Sequence, residues 1–211
     1  MTDNPSPPIE LVEHINRRGC VLFVGDALDG QGSQSARLAA LLVDACGAHS
    51  VCPIPACQTD GKCAQSHDCA IPLIRAAQLY ESRKGRHALV DFVTRHVDHA
   101  RPPGPLHRAL VARPVRVIIT TAYDDRLTMA LQEAGRPYLQ VVGDADVPFD
   151  DPERVQLIRL HGSVSRADSL VLTEDDADDL FGRPPTVTKI LWRRACTPLP
   201  AAAALEFHSA R

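Results

Sequence analysis

The chain has 211 residues, of which 45% are hydrophobic, 23% charged and only 4% aromatic. That length suits one domain with a full core, and the composition excludes a disordered polar polymer. No window approaches the roughly 18 unbroken apolar residues of a membrane-spanning helix, and 23 Lys and Arg against 26 Asp and Glu leave a formal charge of −3 without the basic field that nucleic-acid binding uses. Neither a nucleic-acid nor a membrane partner is expected.

With so few aromatics the core must be Val, Leu, Ile and Ala, the residues of buried parallel strands with flanking helices. Met1 to Glu10 shows no charged-then-apolar run with a small-residue cleavage site, so a cytoplasmic location is expected. Seven cysteines without the spacing of a secreted scaffold point to reduced thiols.

Residues 1–8, with Pro5, Pro7 and Pro8, lack periodicity and read as a disordered leader. Ile9, Leu11, Val12 and Ile15 recur at helical spacing up to Arg18, with Gly19 as a stop. Cys20-Val-Leu-Phe-Val24 is an apolar run ending at Gly25 and predicts a buried strand; a helix follows from about Ser35 to Ala45. Residues 46–72 carry Cys46, Cys52, Cys57, Cys63 and Cys69 with little pattern and read as an irregular insertion. None of these cysteines forms the C-x₂-C pair of a zinc ribbon, so zinc is not expected despite His49 and His67 nearby.

Helical spacing returns over Ile71 to Tyr80, His87 to Val97 and Leu106 to Ala112. The β-branched run Val115 to Ile119 predicts a strand that delivers Thr120-Thr121-Ala122-Tyr123-Asp124-Asp125 directly before a helix to about Ala134. Tyr138–Val142, Val155–Leu160 and Leu170–Leu172 predict further strands, and Thr173 with Asp176 marks a helix start for Glu174 to Phe181. The alternation predicts an α/β fold, a Rossmann-like doubly wound parallel sheet with helices on both faces. Residues 9–185 form its domain, and 186–211 read as one short helix and a frayed tail, so that the domain is expected to be a shortened one.

In such sheets ligands lie beyond the carboxyl ends of the strands, which singles out Gly25-Asp26-Ala27-Leu28-Asp29, Thr120 to Asp125 and Leu160-His161-Gly162-Ser163. A glycine turn before a helix lets backbone amides approach a phosphate, although G-x-G-x-x-G is not matched. The imidazole of His161 has the near-neutral pKa of a general base, or it is one of nine histidines packed for structure. Asp124 can hold a ribose hydroxyl, and Asp125 fits the role of helix cap.

These segments, in this order, resemble the SIR2-like family over roughly Ile9 to Phe181. The family's Gly-Ala-Gly-x-Ser turn stands here as Gly25 to Asp29, its Leu-His-x-x-Leu helix piece as Leu106 to Leu110, and its Thr-Thr-Asn-Tyr-Asp as Thr120 to Asp124. Its Leu-His-Gly-Ser is Leu160 to Ser163, and its Thr-x-x-Asp is Thr173 to Asp176. The resemblance implies NAD as substrate or ligand, or ADP-ribose, with cleavage of the nicotinamide-ribose bond either for deacylation or, in bacterial antiviral effectors, to destroy NAD. It implies His161 as the base, Gly25, Asp26, Ala27 and Leu28 at the phosphates, and Thr120, Thr121, Ala122, Tyr123, Gly162 and Ser163 around the ligand, with Asp124 steadying the loop. It also implies that further effector or sensor modules, or a homo-oligomer, accompany such a domain.

Two departures stand at functional positions. Ala122 replaces the family asparagine, whose carboxamide orients ribose or water, and alanine has no such group. Asp26 puts a carboxylate where an anion should bind, which lowers dinucleotide affinity unless it turns away or pairs with Arg37 or Arg126. Only Cys196 follows His161, against the paired zinc cysteines of deacylases. Three readings remain open: an NAD glycohydrolase of the defence type, a binding module for NAD or ADP-ribose that has lost the reaction with its asparagine, or a structural remnant, for which the poorly patterned tail and missing late strand speak.

Overall fold

The computed structural model describes residues 9–16, 20–28, 33–53, 58, 71–97, 101–143, 146 and 153–182. The leader, the tail beyond Gly182, and Cys57, Cys63, Cys69 and Cys196 lie outside these residues. Four strands among them, β1 (Val21–Val24), β2 (Val117–Thr120), β3 (Tyr138–Val141) and β4 (Val155–Arg159), form one parallel sheet in the order β1-β2-β4-β3. The α/β parallel-sheet class expected from the alternating runs is the class observed. The register sets Val24 beside Thr120 and Thr120 beside Arg159, so the ends of β1, β2 and β4 lie side by side.

Every residue of the central strands β2 and β4 is buried, whereas the outer strands are mostly half-buried. A parallel strand covered on both faces is mostly apolar, which explains the unbroken Val-Ile-Ile of β2. Side chains alternate: Ile118, Val155, Leu157 and Val24 share one cluster with Val111, Leu127, Ala130 and Leu131. Val117, Ile119, Val141 and Ile158 share another on the opposite face. Each fully buried Leu or Ile here contributes about 1.5–3 kcal/mol of transfer free energy.

The first of these clusters is closed by α5 (Pro105–Val111) and α6 (Arg126–Glu133), with Ile15 of α1 (Ile9–Asn16) packed at its edge. A third cluster joins α2 (Gln34–Cys46), α3 (Leu73–Lys84) and α4 (Arg86–His96) to Tyr123, Leu170 and Leu172. α2 is bounded locally as well as by packing. The Ser33 hydroxyl accepts from the Ala36 amide at its start, and Gly47 at φ 64° ends it, a left-handed conformation that glycine takes without a Cβ penalty. Cys46, expected in the insertion, is the last residue of this helix; it and Cys52 are buried free thiols. Among the described residues no group of His, Cys, Asp or Glu is arranged to hold a metal ion, and no helix is long and apolar enough to cross a membrane.

Leu170–Leu172 corrects the strand expected there. Both leucines are buried in the third cluster, as their pattern requires, but the backbone is not in the sheet. The Leu172 and Thr173 amides donate instead to the Asp176 carboxylate at 2.8 and 3.0 Å, and the Asp176 amide donates back to Thr173 Oγ1 at 3.2 Å. This reciprocal cap starts α7 (Glu174–Gly182), where the Thr173 and Asp176 spacing predicts a helix. An apolar run reads alike whether its amides go to a neighbouring strand or to a cap, and here the cap won.

Arg86 adds 2.6 Å and 2.7 Å hydrogen bonds to the Asp176 carboxylate and the Leu170 carbonyl, joining α4 to the same cap. Burial alone would raise the Asp176 carboxyl, but the Leu172 and Thr173 amides and the Arg86 guanidinium outweigh it and hold it below the ordinary carboxylate range. A depressed folded-state pKa means stability that is present above the unfolded value, about 3.9, and lost as pH falls through the folded one. Asp176→Ala is expected to lower stability by about 1.5 kcal/mol at pH 7. In urea titrations the gap from wild type closes below about pH 4.

Candidate functional site

The carboxyl ends of β1, β2 and β4 carry the three segments singled out by sequence, and the sheet brings them together. Thr121 donates its amide to the Val24 carbonyl at 3.3 Å, and Leu160 donates to the Thr120 carbonyl at 2.9 Å, so the backbones stay joined for one residue beyond the strands. Past that point they part, leaving Gly25, Asp26, Thr121 to Asp124 and His161 around one sheet end. A Cβ on Gly25 would meet none of the described residues within 4 Å.

His161 is half-buried, with its ring 5.9 Å from that of Tyr123 and one ring N–H given to the Thr121 carbonyl. Burial pulls its pKa below the ordinary histidine value, against the smaller opposing effects of the Asp26 charge and the Thr121 hydrogen bond. The imidazole is therefore neutral at pH 7, and with one nitrogen protonated towards Thr121 the other carries a basic lone pair. Tyr123 is almost wholly buried; burial first, then the Asp26 and Asp176 charges, raise its pKa far above the ordinary value, and the neutral phenol donates to the Val171 carbonyl at 2.7 Å. Its role is to fasten the loop after β2 to the segment before α7.

The turn after β2 is held from below by two arginines. Arg159, the last residue of β4 and 2% exposed, donates to the Asp124 carbonyl at 2.7 Å and the Ala122 carbonyl at 3.4 Å. Its other terminal nitrogen donates to Asp125 Oδ1 at 2.8 Å and Thr128 Oγ1 at 2.9 Å, while its Nε has no hydrogen-bond partner among the described residues. Burial lowers its pKa, the Asp125 and Asp124 charges oppose this, and a guanidinium remains ionised throughout. Arg126 bonds the Asp124 carboxylate through Nε at 3.0 Å and Nη2 at 2.9 Å, and reaches the Asp26 carbonyl at 3.4 Å.

Asp124 thus steadies the loop, and its carboxylate also accepts from the Arg126 amide at 3.1 Å. Asp125 sits at the N-cap position of α6 yet makes no cap hydrogen bond, because its carboxylate is drawn to Arg159 instead. Thr120 is buried and accepts from the Ala122 amide at 3.1 Å. Ala122 is itself buried, so the position of the family asparagine is enclosed rather than open to solvent. Leu28 packs on the β-sheet cluster that α5 and α6 close, and Ala27 is half-buried beside it.

After His161 the chain turns at Gly162, φ 79°, where an added Cβ would lie 2.1 Å from the Ser169 carbonyl oxygen. Only glycine fits. The Ser163 amide donates to Ser169 Oγ at 3.1 Å, its hydroxyl pairs with Ser165 Oγ at 2.9 Å, and Arg166 pairs with Asp146, whose carboxylate caps the Val142 and Gly143 amides beyond β3. Ser163 therefore shapes the loop that carries His161.

Asp26 neither turns away nor pairs with Arg37 or with the guanidinium of Arg126. Its carboxylate accepts from Ser33 Oγ at 2.9 and 3.1 Å and from the Ser35 amide, and so is seated on the N-terminus of α2. The sequence signals Arg159 only as a charged residue in the mostly apolar run Val155 to Leu160, which also holds Gln156.

A parallel α/β sheet with its polar turns gathered at the strand ends defines the class. Residues 116–197 match the model of the SIR2-like domain family, a span that includes β2, Thr120 to Asp124, His161 and the Thr173–Asp176 cap. Over 112 residues the chain is 30% identical to the NAD(+) hydrolase ThsA of Acinetobacter baumannii (strain 532279), the match covering 49% of this chain and 22% of that protein's length.

Removing Arg159 leaves Asp125 and two carbonyls without their buried donor. Arg159→Ala is expected to cost about 3–5 kcal/mol in chemical denaturation. Gly162→Ala forces a backbone shift and is expected to cost about 3 kcal/mol by the same measurement.

Proposed function

We propose that this chain is a SIR2-like NAD glycohydrolase domain that cuts the bond between nicotinamide and ribose, with His161 as the general base. The observation that carries the reading is the half-buried, neutral imidazole at the end of β4, oriented by the Thr121 carbonyl and backed by Tyr123. The SIR2-like match and the partial likeness to an NAD(+) hydrolase support NAD as the molecule acted on.

The residues suit the nicotinamide-ribose end of NAD. Gly25 adds no side chain at the end of β1, the half-buried Thr121 lies beside His161 with Ala122 and Tyr123 packed behind it, and Gly162 with Ser163 holds the base in place. Asp124 acts as a positioning residue through Arg126 and the turn backbone. The phosphates of a dinucleotide would fall at the turn Gly25 to Leu28 before α2, beside the Asp26 carboxylate. In the reaction the C1′–N1 bond breaks with its electron pair passing to the ring nitrogen, so that nicotinamide leaves neutral. A water oxygen bonds to C1′, and the proton it loses goes to His161 and then to solvent. The products are ADP-ribose, nicotinamide and one proton. Since the leaving group needs no proton, one base is enough for the chemistry.

His161→Ala is expected to lower nicotinamide release about 10²–10⁴-fold without changing the melting temperature appreciably. Turnover unchanged in that variant removes His161 from the reaction. The base must be unprotonated, and its pKa is lowered, so kcat/KM should hold down to a limb below about pH 6.5 and fall beneath it.

A further inference from the structure

Asp26 stands at the same sheet end, and the reaction above gives its carboxylate no part. Its carboxylate rests on two neutral donors, the Ser33 hydroxyl and the Ser35 amide, at the start of the 13-residue helix α2. Arg126 places its charge on the Asp124 carboxylate and meets the backbone carbonyl of Asp26 at 3.4 Å. The amide and hydroxyl that a glycine turn before a helix offers to a phosphate are therefore already occupied by an anion of the chain itself. The Asp26 charge is also felt at His161 and Tyr123, which places it beside the reacting end of the site.

We propose that Asp26 is a specificity-determining residue: its carboxylate fills the phosphate seat, disfavours the pyrophosphate of NAD and favours ribosyl-pyridinium compounds without one, such as nicotinamide riboside. This deepens the hydrolase reading above and rests on it for the reaction. A dinucleotide must displace Asp26 from Ser33 and Ser35 or approach it with like charge, whereas nicotinamide riboside carries a single positive charge on its pyridinium and meets an opposite one. The riboside reaction has the same balance: water bonds to C1′, nicotinamide leaves with the bonding pair, and ribose and one proton are released.

The test uses wild type, Asp26→Asn and Asp26→Ala, each checked by thermal melting. Steady-state nicotinamide release is measured from NAD and from nicotinamide riboside, and ADP-ribose affinity by calorimetry. Asparagine keeps an acceptor for Ser33 and Ser35 but removes the charge. The expected result is an NAD KM and an ADP-ribose Kd each lowered about tenfold in Asp26→Asn, with the riboside KM unchanged or raised. Wild type should therefore prefer the riboside in kcat/KM and the variant should lose that preference. An NAD KM and ADP-ribose Kd unchanged or weakened in both variants overturn the proposal, as does a loss confined to kcat, which would make Asp26 a stabiliser of the ribosyl cation. ADP-ribose binding that tightens in the variants while no protein releases nicotinamide upholds Asp26 as the phosphate-seat residue and sinks the hydrolase reading. No measurable ADP-ribose binding in any of the three overturns the role of Asp26.

Discussion

The site depends on a buried guanidinium. Arg159 ends the central strand β4, and its donors hold two carbonyls, a carboxylate and a hydroxyl of the segment after β2. A carbonyl without a partner in this water-poor interior would cost about 1–3 kcal/mol, so the backbone from Ala122 to Asp124 has one favourable path and keeps it. Thr121, whose carbonyl orients His161, is the residue just before that path. The same strand thus supplies the imidazole two residues beyond Arg159 and the clamp that shapes its hydrogen-bond acceptor.

Around this clamp the loops are fixed by carboxylates rather than by further strands. Asp176 collects the Leu172 and Thr173 amides and the Arg86 guanidinium, Asp146 collects the Val142 and Gly143 amides and Arg166, and Asp124 collects Arg126. β3 can end abruptly because the Asp146 carboxylate takes over the Val142 and Gly143 amides that follow it. The loop from Gly162 to Ser169 then packs so closely that the glycine cannot carry a Cβ. Such close packing suits the role proposed for His161.

Asp26 sits where the start of α2 offers hydrogen-bond donors to an anion. A helix start facing the sheet end is a place for an anion, and here the chain supplies its own. The scaffold around it needs no alteration, since Ser33 serves both as the cap of α2 and as donor to Asp26. Ala122 is a quieter change, as its backbone keeps the hydrogen bonds to Thr120 and Arg159 that the turn requires whatever its side chain.

The sequence by itself determined the elements of this protein. The apolar runs of β1, β2 and β4, the Ser33 and Gly47 ends of α2, and the Thr173–Asp176 start of α7 are contacts between residues a few positions apart, so pattern and spacing reveal them. The order of Thr120 to Asp124 and Leu160 to Ser163 was legible for the same reason. Only the tertiary structure decided where the charges went. Arg159 finds the Asp124 carbonyl 35 positions away, Arg126 the Asp26 carbonyl 100 away, and Arg86 the Asp176 carboxylate 90 away. It likewise decided that Leu170–Leu172 serves a cap and not a strand. A long charged side chain chooses its partner by desolvation and proximity in the folded core, and neither quantity exists until strands distant in sequence lie side by side.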